Sequence, residues 1–153
     1  MASKLQMSRK PLAIGKLSSL LGYHLRRASG AFALDFQEAV SGTGMRQVLF
    51  GILAVIDANP GINQGAVGTA LGIKRANMVS LINELVDSGL LARVVAAEDR
   101  RAFSLTLTEA GHAMLDDCAA RIARHEAGML AEFTADERRT LLQLLARIRT
   151  SKA

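Results

Sequence analysis

Residues 63–111 of the chain read NQGAVGTALGIKRANMVSLINELVDSGLLARVVAAEDRRAFSLTLTEAG. Two short helical patterns in this stretch meet at Leu71-Gly72-Ile73. Gly72 suits the positive φ of a tight turn between helices, and Gly68 is small enough for the point at which two helices cross. Apolar residues stand at the spacings that hold such a pair together: Val67, Leu71, Ile73, Met78 and Leu81. The pattern fits both a helix-turn-helix and an ordinary helical hairpin in a bundle.

The next segment favours the helix-turn-helix, because residues 91–95 and 102–108 are strand patterns on either side of a polar loop, 97–101. The second strand alternates, with Phe103, Leu105 and Leu107 on one face and hydroxyl side chains on the other. A hairpin with one buried face and a cationic tip has no obvious place in a helical bundle. The sequence therefore predicts a mainly α fold with a small β-hairpin wing, a winged helix-turn-helix that reads double-stranded DNA.

The length and composition of the chain indicate the class of protein. Its 153 residues suit one domain, or one compact domain with a helical extension. Half of the residues are hydrophobic, yet no apolar run approaches the roughly 20 residues that span a bilayer, and residues 1–16 lack the features of a signal peptide. The single cysteine, Cys118, fits a reducing compartment. We expect a cytoplasmic protein.

The net charge of +5 suits a polyanionic partner, although such a charge also serves solubility. Its placement is more informative than its size. Five cations fall on the second helix of the motif and on the hairpin: Lys74, Arg75, Arg93, Arg100 and Arg101. Acidic residues on the same elements reduce the local excess, so we expect a selective contact surface rather than a broad basic one.

Six helices and their ends are predicted from apolar periodicity and capping residues. The helices cover about 17–40, 45–57, 63–70, 74–88, 109–132 and a segment that begins after Thr134. Asn63 and Thr108 are predicted N-caps, Gly89 a left-handed C-terminal cap, and Thr134 with Glu137 a capping box. We divide the chain into a flexible segment (1–16), a helical dimerisation region (17–44 and 109–153) and a winged helix-turn-helix DNA-binding domain (45–108).

The helices at the two ends of the chain are apolar enough to need a partner beyond the small central domain. A homodimer that interlocks through these helices satisfies that need. The alternative is that they pack only on their own chain. Two helix-turn-helix motifs related by a two-fold axis require a roughly palindromic operator with half-sites about one DNA turn apart.

Three further motifs carry a resemblance to a known family. They are Leu85-x-x-x-Gly89-Leu90, Asp99-Arg100-Arg101 and Leu107-Thr108-x-x-Gly111, and Pro60-Gly61 and Leu71-Gly72-Ile73 fall where that family joins its helices. Across about residues 17–150 the chain resembles the MarR family of bacterial transcriptional regulators. The resemblance implies a dimeric repressor, less often an activator, that leaves DNA when a small aromatic or phenolic ligand, or an oxidant, reaches it. Arg101 matches the wing arginine that enters the minor groove, and Asp99 matches the acidic residue that braces the wing.

The helix predicted at 74–88 has a polar face opposite Met78, Ile82 and Leu85. On that face Arg75 offers a donor pair to guanine and Asn77 a donor and acceptor to adenine. Lys74, Asn63 and Gln64 suit phosphates. The complete set of predicted DNA-binding residues is Asn63, Gln64, Lys74, Arg75, Ala76, Asn77, Ser80, Arg93, Asp99, Arg100 and Arg101.

Tyr23, His24 and Arg27 lie within about one turn of the first predicted helix, near the place where the family binds its ligands. A phenol, an imidazole and a guanidinium together suit a carboxylate or phenolic oxygen. The alternative is that Tyr23 and His24 pack in the dimer interface while Arg26 and Arg27 are solvated. Some members of the family answer to aromatic acids or their coenzyme A thioesters, and an anionic ligand of that class suits the arginine pair.

Other chemistries find little support in the sequence. Cysteine-based sensors of this family carry a thiol near the start of the first helix, whereas Cys118 falls on the fifth and is predicted to be packed. His112 and Asp116 are too few ligands for a metal site, so no metal and no cofactor is expected. No enzyme motif is present. The remaining alternatives are a ligand-independent DNA-binding regulator and a helical interaction module that does not bind DNA.

Overall fold

The computed structural model describes residues 12–95 and 103–150, without the side chains of Val95, Arg149 and Thr150. A 3₁₀ helix, Gly15–Ser19, precedes α1 (Leu21–Ala39), α2 (Gln47–Ala58), α3 (Gln64–Leu71), α4 (Arg75–Asp87), β1 (Leu91–Val95), β2 (Phe103–Leu107), α5 (Glu109–Met129) and α6 (Ala135–Thr150). The strands pair antiparallel, from Leu91 opposite Leu107 to Val95 opposite Phe103. The predicted fold class, mainly α with a small β-hairpin, is confirmed.

The helix predicted at 17–40 is divided at Leu20, whose backbone is extended (φ −92°, ψ 106°). Ser18 and Ser19 donate side-chain hydrogen bonds back to the carbonyls of Gly15 and Lys16. Such local bonds compete with the regular helix, which explains the short 3₁₀ segment before α1. The prediction of one continuous helix was therefore wrong at its start.

The predicted caps are present. Asn63 Oδ1 accepts from the Ala66 N–H at 2.9 Å, and Thr108 Oγ1 accepts from the Gly111 N–H at 3.0 Å. Gly89 has a φ of 74° just after α4. At α6, Glu137 accepts from the Thr134 N–H at 2.7 Å and donates its own N–H to Thr134 Oγ1 at 3.3 Å. The backbone hydrogen bond from Thr134 lowers the pKa of the Glu137 carboxyl.

The turn between α3 and α4 has the predicted geometry. Gly72 has a φ of 66°, in the left-handed region that side chains rarely adopt. A Cβ on Gly68 would stand 2.9 Å from Met78 Cγ and 3.1 Å from the Ile73 carbonyl oxygen. The close crossing of α3 and α4 therefore requires a glycine at position 68.

The core is centred on α2, whose Ile52, Leu53 and Ile56 are fully buried. This helix packs against α1, α3, α5 and β2. The edge of β2 that faces away from β1 is hydrogen-bonded to the segment between α2 and α3. There Leu105 accepts from the Gly61 N–H and donates its own N–H to the Ile62 carbonyl. Leu105 is buried and Leu107 half-buried, but Phe103 is 53% exposed at the end of the hairpin where residues 96–102 connect the two strands. Phe103 and Leu105 are alternate residues of one strand and share a face, but that face is not buried at Phe103, contrary to the expectation of one buried face.

Apolar side chains are left exposed at both ends of the chain. Within 135–148 no side chain of α6 is buried. The apolar residues of α6 are exposed to solvent and lie on one face: Leu141, Leu142, Leu144, Leu145 and Ile148. Leu17, Leu20 and Leu21 are exposed at the other end. None of the helices in the described part of the chain has the length and hydropathy to cross a membrane.

Candidate nucleic-acid interface

Helix α4 has one buried and one exposed face, and the division follows the sequence pattern. Met78, Ile82 and Leu85 are at most 1% exposed and fix the helix against the core. The other face carries the four side chains predicted to meet DNA bases, all of them exposed: Arg75, Ala76, Asn77 and Ser80. The buried anchors hold this polar face in one orientation.

The predicted phosphate-contacting residues gather at the starts of α3 and α4. Lys74 is exposed and precedes α4 in an extended conformation, and its carbonyl accepts from the Asn77 and Met78 N–H groups. Asn63 is exposed, but its Oδ1 is committed to capping α3, so its amide nitrogen is the group that can donate outward. Gln64 is half-buried. The structure thus brings these residues to one edge of the exposed face of α4.

Two open grooves flank α4. The first, about 820 Å³, lies toward the hairpin, and the second, about 650 Å³, lies toward the start of α2. Charged and amide side chains line the first groove: Asn63, Gln64, Lys74, Arg75 and Arg93. Polar residues of the second are Arg46, Lys74, Asn77, Ser80 and Glu84. Each groove therefore places an arginine from a neighbouring element beside α4.

Each of these arginines is held by a side chain of α4. Arg93 on β1 donates to Asn83 Oδ1, and Arg46, the residue before α2, forms an ion pair with Glu84. Arg93 was among the predicted DNA-binding residues, and Arg46 was not. Arg46 and Glu84 are 38 residues apart. No local pattern joins them, and only the packing of α2 against the rest of the domain brings them together.

The remaining predicted residues of the interface, Asp99, Arg100 and Arg101, lie outside the described residues. The strands that lead to them end at Val95 and begin again at Phe103. Their contribution to DNA binding stays a prediction.

The sequence of the chain is similar to proteins of a known family. The MarR family model matches residues 44–102. A protein of Thauera aromatica, described as a transcriptional regulatory protein for the hcr operon, is 33% identical over 138 residues, which are 90% of this chain and 83% of the relative. The chain belongs to the MarR family. MarR-family proteins are transcriptional regulators and not enzymes.

Solved structures of MarR-type regulators superimpose over nearly the whole chain. The repressor CouR bound to a 23-mer DNA duplex has a TM-score of 0.86 at 38% identity, covering 92% of this chain and 99% of that one. CouR bound to p-coumaroyl-CoA has a TM-score of 0.80 at 37% identity, with the same coverage. PcaV of Streptomyces coelicolor, in complex with its natural ligand, has a TM-score of 0.81 at 28% identity, covering 93% and 100%. The protein is a DNA-binding transcriptional regulator of the MarR type.

The predicted effector residues of this MarR-family chain lie at the start of α1. Tyr23 is half-buried, and its ring meets the ring of His24 edge-on, with centroids 5.4 Å apart and planes at 80°. His24 Nε2 lies 3.0 Å from the Ser18 carbonyl oxygen, so Nδ1 is the ring nitrogen left to meet a ligand. Arg27 is exposed one turn later. The structure brings the two rings together and leaves the guanidinium accessible.

Cys118 is fully buried on α5, as predicted, with its sulfur 3.8 Å from the sulfur of Met114. Burial raises the pKa of this thiol, and a hydrogen bond with Thr43 offsets part of the effect. A buried, protonated thiol is a poor nucleophile, which disfavours oxidant sensing through Cys118.

The histidines of α5 contact other helices rather than a common site. His112 Nδ1 lies 2.9 Å from Asp57 on α2, and His125 Nδ1 lies 3.1 Å from Asp35 on α1. The pairing of His112 is therefore with Asp57 and not with Asp116. Among the described side chains no group of three or more can hold a metal ion together.

Proposed function

We propose that this MarR-family chain is a homodimeric transcriptional repressor that acts in the cytoplasm on a pseudo-palindromic operator. A small aromatic or phenolic acid, or its coenzyme A thioester, releases it from DNA. One observation most directly supports the DNA-binding part of this proposal. The polar face of α4 is exposed between two grooves, and each groove holds an arginine from a neighbouring element. Such a surface suits a helix that enters the major groove between two phosphate backbones.

In this proposal residues 74–88 enter the major groove and form the recognition helix. Arg75 pairs with a guanine and Asn77 with an adenine, each worth about 1–3 kcal/mol of discrimination. Ala76 and Ser80 lie on the same exposed face, close to the base edges. Lys74, Asn63 and Gln64 contact phosphates and set the position of the helix on the duplex.

The wing, residues 96–101, enters the adjacent minor groove. Arg101 inserts there, where a narrow groove concentrates negative potential. Asp99 braces the loop, and Arg100 and Arg93 meet the flanking phosphates. Arg93 is held against Asn83, a neutral partner that leaves the guanidinium charge available to DNA.

Dimerisation uses the regions 17–44 and 109–153, and residues 45–108 form the DNA-binding domain. The apolar face of α6 supports this assignment, since leucines there are up to 69% exposed on one chain. An isolated helix of 16 residues is marginal in water and gains most of its stability from packing. A second copy of the chain supplies that packing and places two recognition helices on one face of DNA.

The class of effector is supported by p-coumaroyl-CoA, the ligand of CouR, and the complex of PcaV with its natural ligand supports that the effector is a bound ligand. Tyr23, His24 and Arg27 then bind the phenolic or anionic end of the effector. The TM-score is 0.86 with DNA-bound CouR, and 0.80 both with effector-bound CouR and with a further CouR structure. An effector that binds the DNA-incompetent arrangement more tightly, by about 5.5 kcal/mol for a complete switch, releases the operator.

The DNA-binding part of the proposal is tested by fluorescence anisotropy over a range of salt concentrations. The duplexes are the intergenic DNA beside the gene and a scrambled sequence. We expect the wild type to prefer the intergenic duplex, Arg75→Ala to lose about 1–3 kcal/mol of that preference, and Arg101→Gln to bind with a smaller salt slope. Arg124→Ala, an exposed change on α5, is the control. Equal, weak binding of the wild type to both duplexes would contradict the local-operator proposal.

The effector part is tested by adding p-coumaroyl-CoA, or free aromatic acids, to the preformed complex. The Arg27→Gln variant should need at least about tenfold more effector than the wild type to leave the DNA, since a charge-assisted hydrogen bond is worth about 1.5–3 kcal/mol. Arg26→Gln, the neighbouring exposed arginine, should behave as the wild type. Identical release curves for the two variants would remove Arg27 from the effector site.

A further inference from the structure

The ion pair of Arg46 and Glu84 lies on the surface that the proposed function turns toward DNA. Arg46 immediately precedes α2, and Glu84 is on α4. Their side chains are 52% and 46% exposed, so both remain accessible to a ligand while they are paired. They line the same groove as Lys74, Asn77 and Ser80. The pair is therefore continuous with the predicted DNA-contacting face.

The position of Glu84 along α4 is unexpected for a helix that enters the major groove. Asn77, Ser80 and Glu84 are three and four residues apart, which places them along one side of the helix. Seven residues of helix rise about 10 Å, so Glu84 lies toward the phosphate backbone when Asn77 lies against bases. A bare carboxylate there would repel phosphate. Arg46 cancels that charge.

The opposite flank of α4 is built differently. There Arg93 is held by Asn83, a neutral amide, and the full positive charge remains. Arg46 is held by a carboxylate, so the Arg46–Glu84 pair itself is close to neutral, although Lys74 lines the same groove. A guanidinium has five N–H donors, and a bond to one carboxylate leaves others directed elsewhere. Arg46 thus retains the capacity to bind a phosphate while Glu84 orients it.

We propose that Arg46 is a further phosphate-contacting residue of this regulator and that Glu84 is its positioning residue. This inference rests on the proposed function. Glu84 holds the guanidinium beside α4 and offsets its charge, so the contact adds to the correctly docked complex but little to loose, non-specific attraction. The pair therefore raises selectivity for the docked arrangement rather than total affinity.

The test separates the phosphate contact from the effect of exposing a carboxylate. Arg46→Gln alone would leave Glu84 unpaired, so the informative comparison is Glu84→Gln against the double variant Arg46→Gln/Glu84→Gln. Glu84→Gln should bind the intergenic and the scrambled duplex more tightly than the wild type, because one negative charge is gone. With the intergenic duplex, the double variant should then show a slope of log K against log salt smaller than that of Glu84→Gln by about 0.9, the value for one lost phosphate contact.

A matched ion pair away from the proposed interface serves as the control. Asp117 and Arg121 form an exposed pair on α5. The double variant Arg121→Gln/Asp117→Asn differs from Asp117→Asn by one positive charge, as the two variants of the test pair do. These two control variants should have the same salt slope. Far-UV circular dichroism checks that each variant is folded, and light scattering checks that the α5 variants keep the oligomeric state of the wild type, since α5 belongs to the proposed dimerisation region.

Equal slopes for Glu84→Gln and the double variant overturn the role of Arg46 while the proposed function stands. A wild type that binds neither duplex overturns both. A slope difference that also occurs at the Asp117–Arg121 pair assigns the effect to net charge and overturns the contact.

Discussion

Replacing Gly111 by alanine is expected to lower the free energy of unfolding by about 3 kcal/mol or more, the upper range for overpacking. A Cβ at this position would stand 2.1 Å from the Leu90 carbonyl oxygen and 3.3 Å from Leu107 Cγ. The carbonyl cannot turn away freely, because it accepts from the Thr108 N–H at 3.1 Å. Thr108 in turn caps α5 through the Gly111 N–H. The added methyl group therefore pushes α5 away from the start of the wing.

Urea unfolding of Gly111→Ala measures this effect, and Gly128→Ala on the same helix is the control. A Cβ on Gly128 meets nothing within 4 Å. Glycine in a helix interior costs roughly 0.5–1 kcal/mol relative to alanine, and Gly128 is the last residue but one of α5, so the control variant should be at least as stable as the wild type. Equal unfolding midpoints for the two variants would contradict the close approach of α5 to Leu90.

Glutamate at Leu141 and Leu145 of α6 together is expected to make the protein monomeric and to weaken operator binding by about 10²–10⁴-fold. Linking two binding modules raises the overall affinity above that of either module by a factor in this range. Both leucines are exposed on one chain and four residues apart, so they lie on one face of α6. Burying two carboxylates against a second apolar face costs more than the contact contributes.

Light scattering gives the oligomeric state, and anisotropy with the intergenic duplex gives the affinity. Arg139→Gln/Gln143→Glu lowers the net charge by the same two units on the other side of α6, where both residues are exposed. This control should remain dimeric and bind as the wild type. A double leucine variant that stays dimeric would place the dimer interface elsewhere, and a monomeric wild type with full operator affinity would contradict the dimer proposal itself.

Much of the fold was predictable because its signals are local. Gly72 and Gly89 take the positive φ that their positions at helix ends require, and Asn63 and Thr108 cap helices that start one residue later. These features depend on a few neighbouring residues and on backbone sterics. The prediction of a continuous first helix failed because of local bonds too, those of Ser18 and Ser19, which apolar periodicity does not register.

By itself the sequence determined the order of the elements, the turn between α3 and α4, and the exposed polar face of α4, since helical periodicity separates that face from Met78 and Ile82. Only the tertiary structure decided which distant side chains meet. It paired Arg46 with Glu84, 38 residues away, and His125 with Asp35, 90 residues away. These pairs depend on how packed helices cross, and burial of the whole core around α2 sets those crossings rather than any short pattern along the chain.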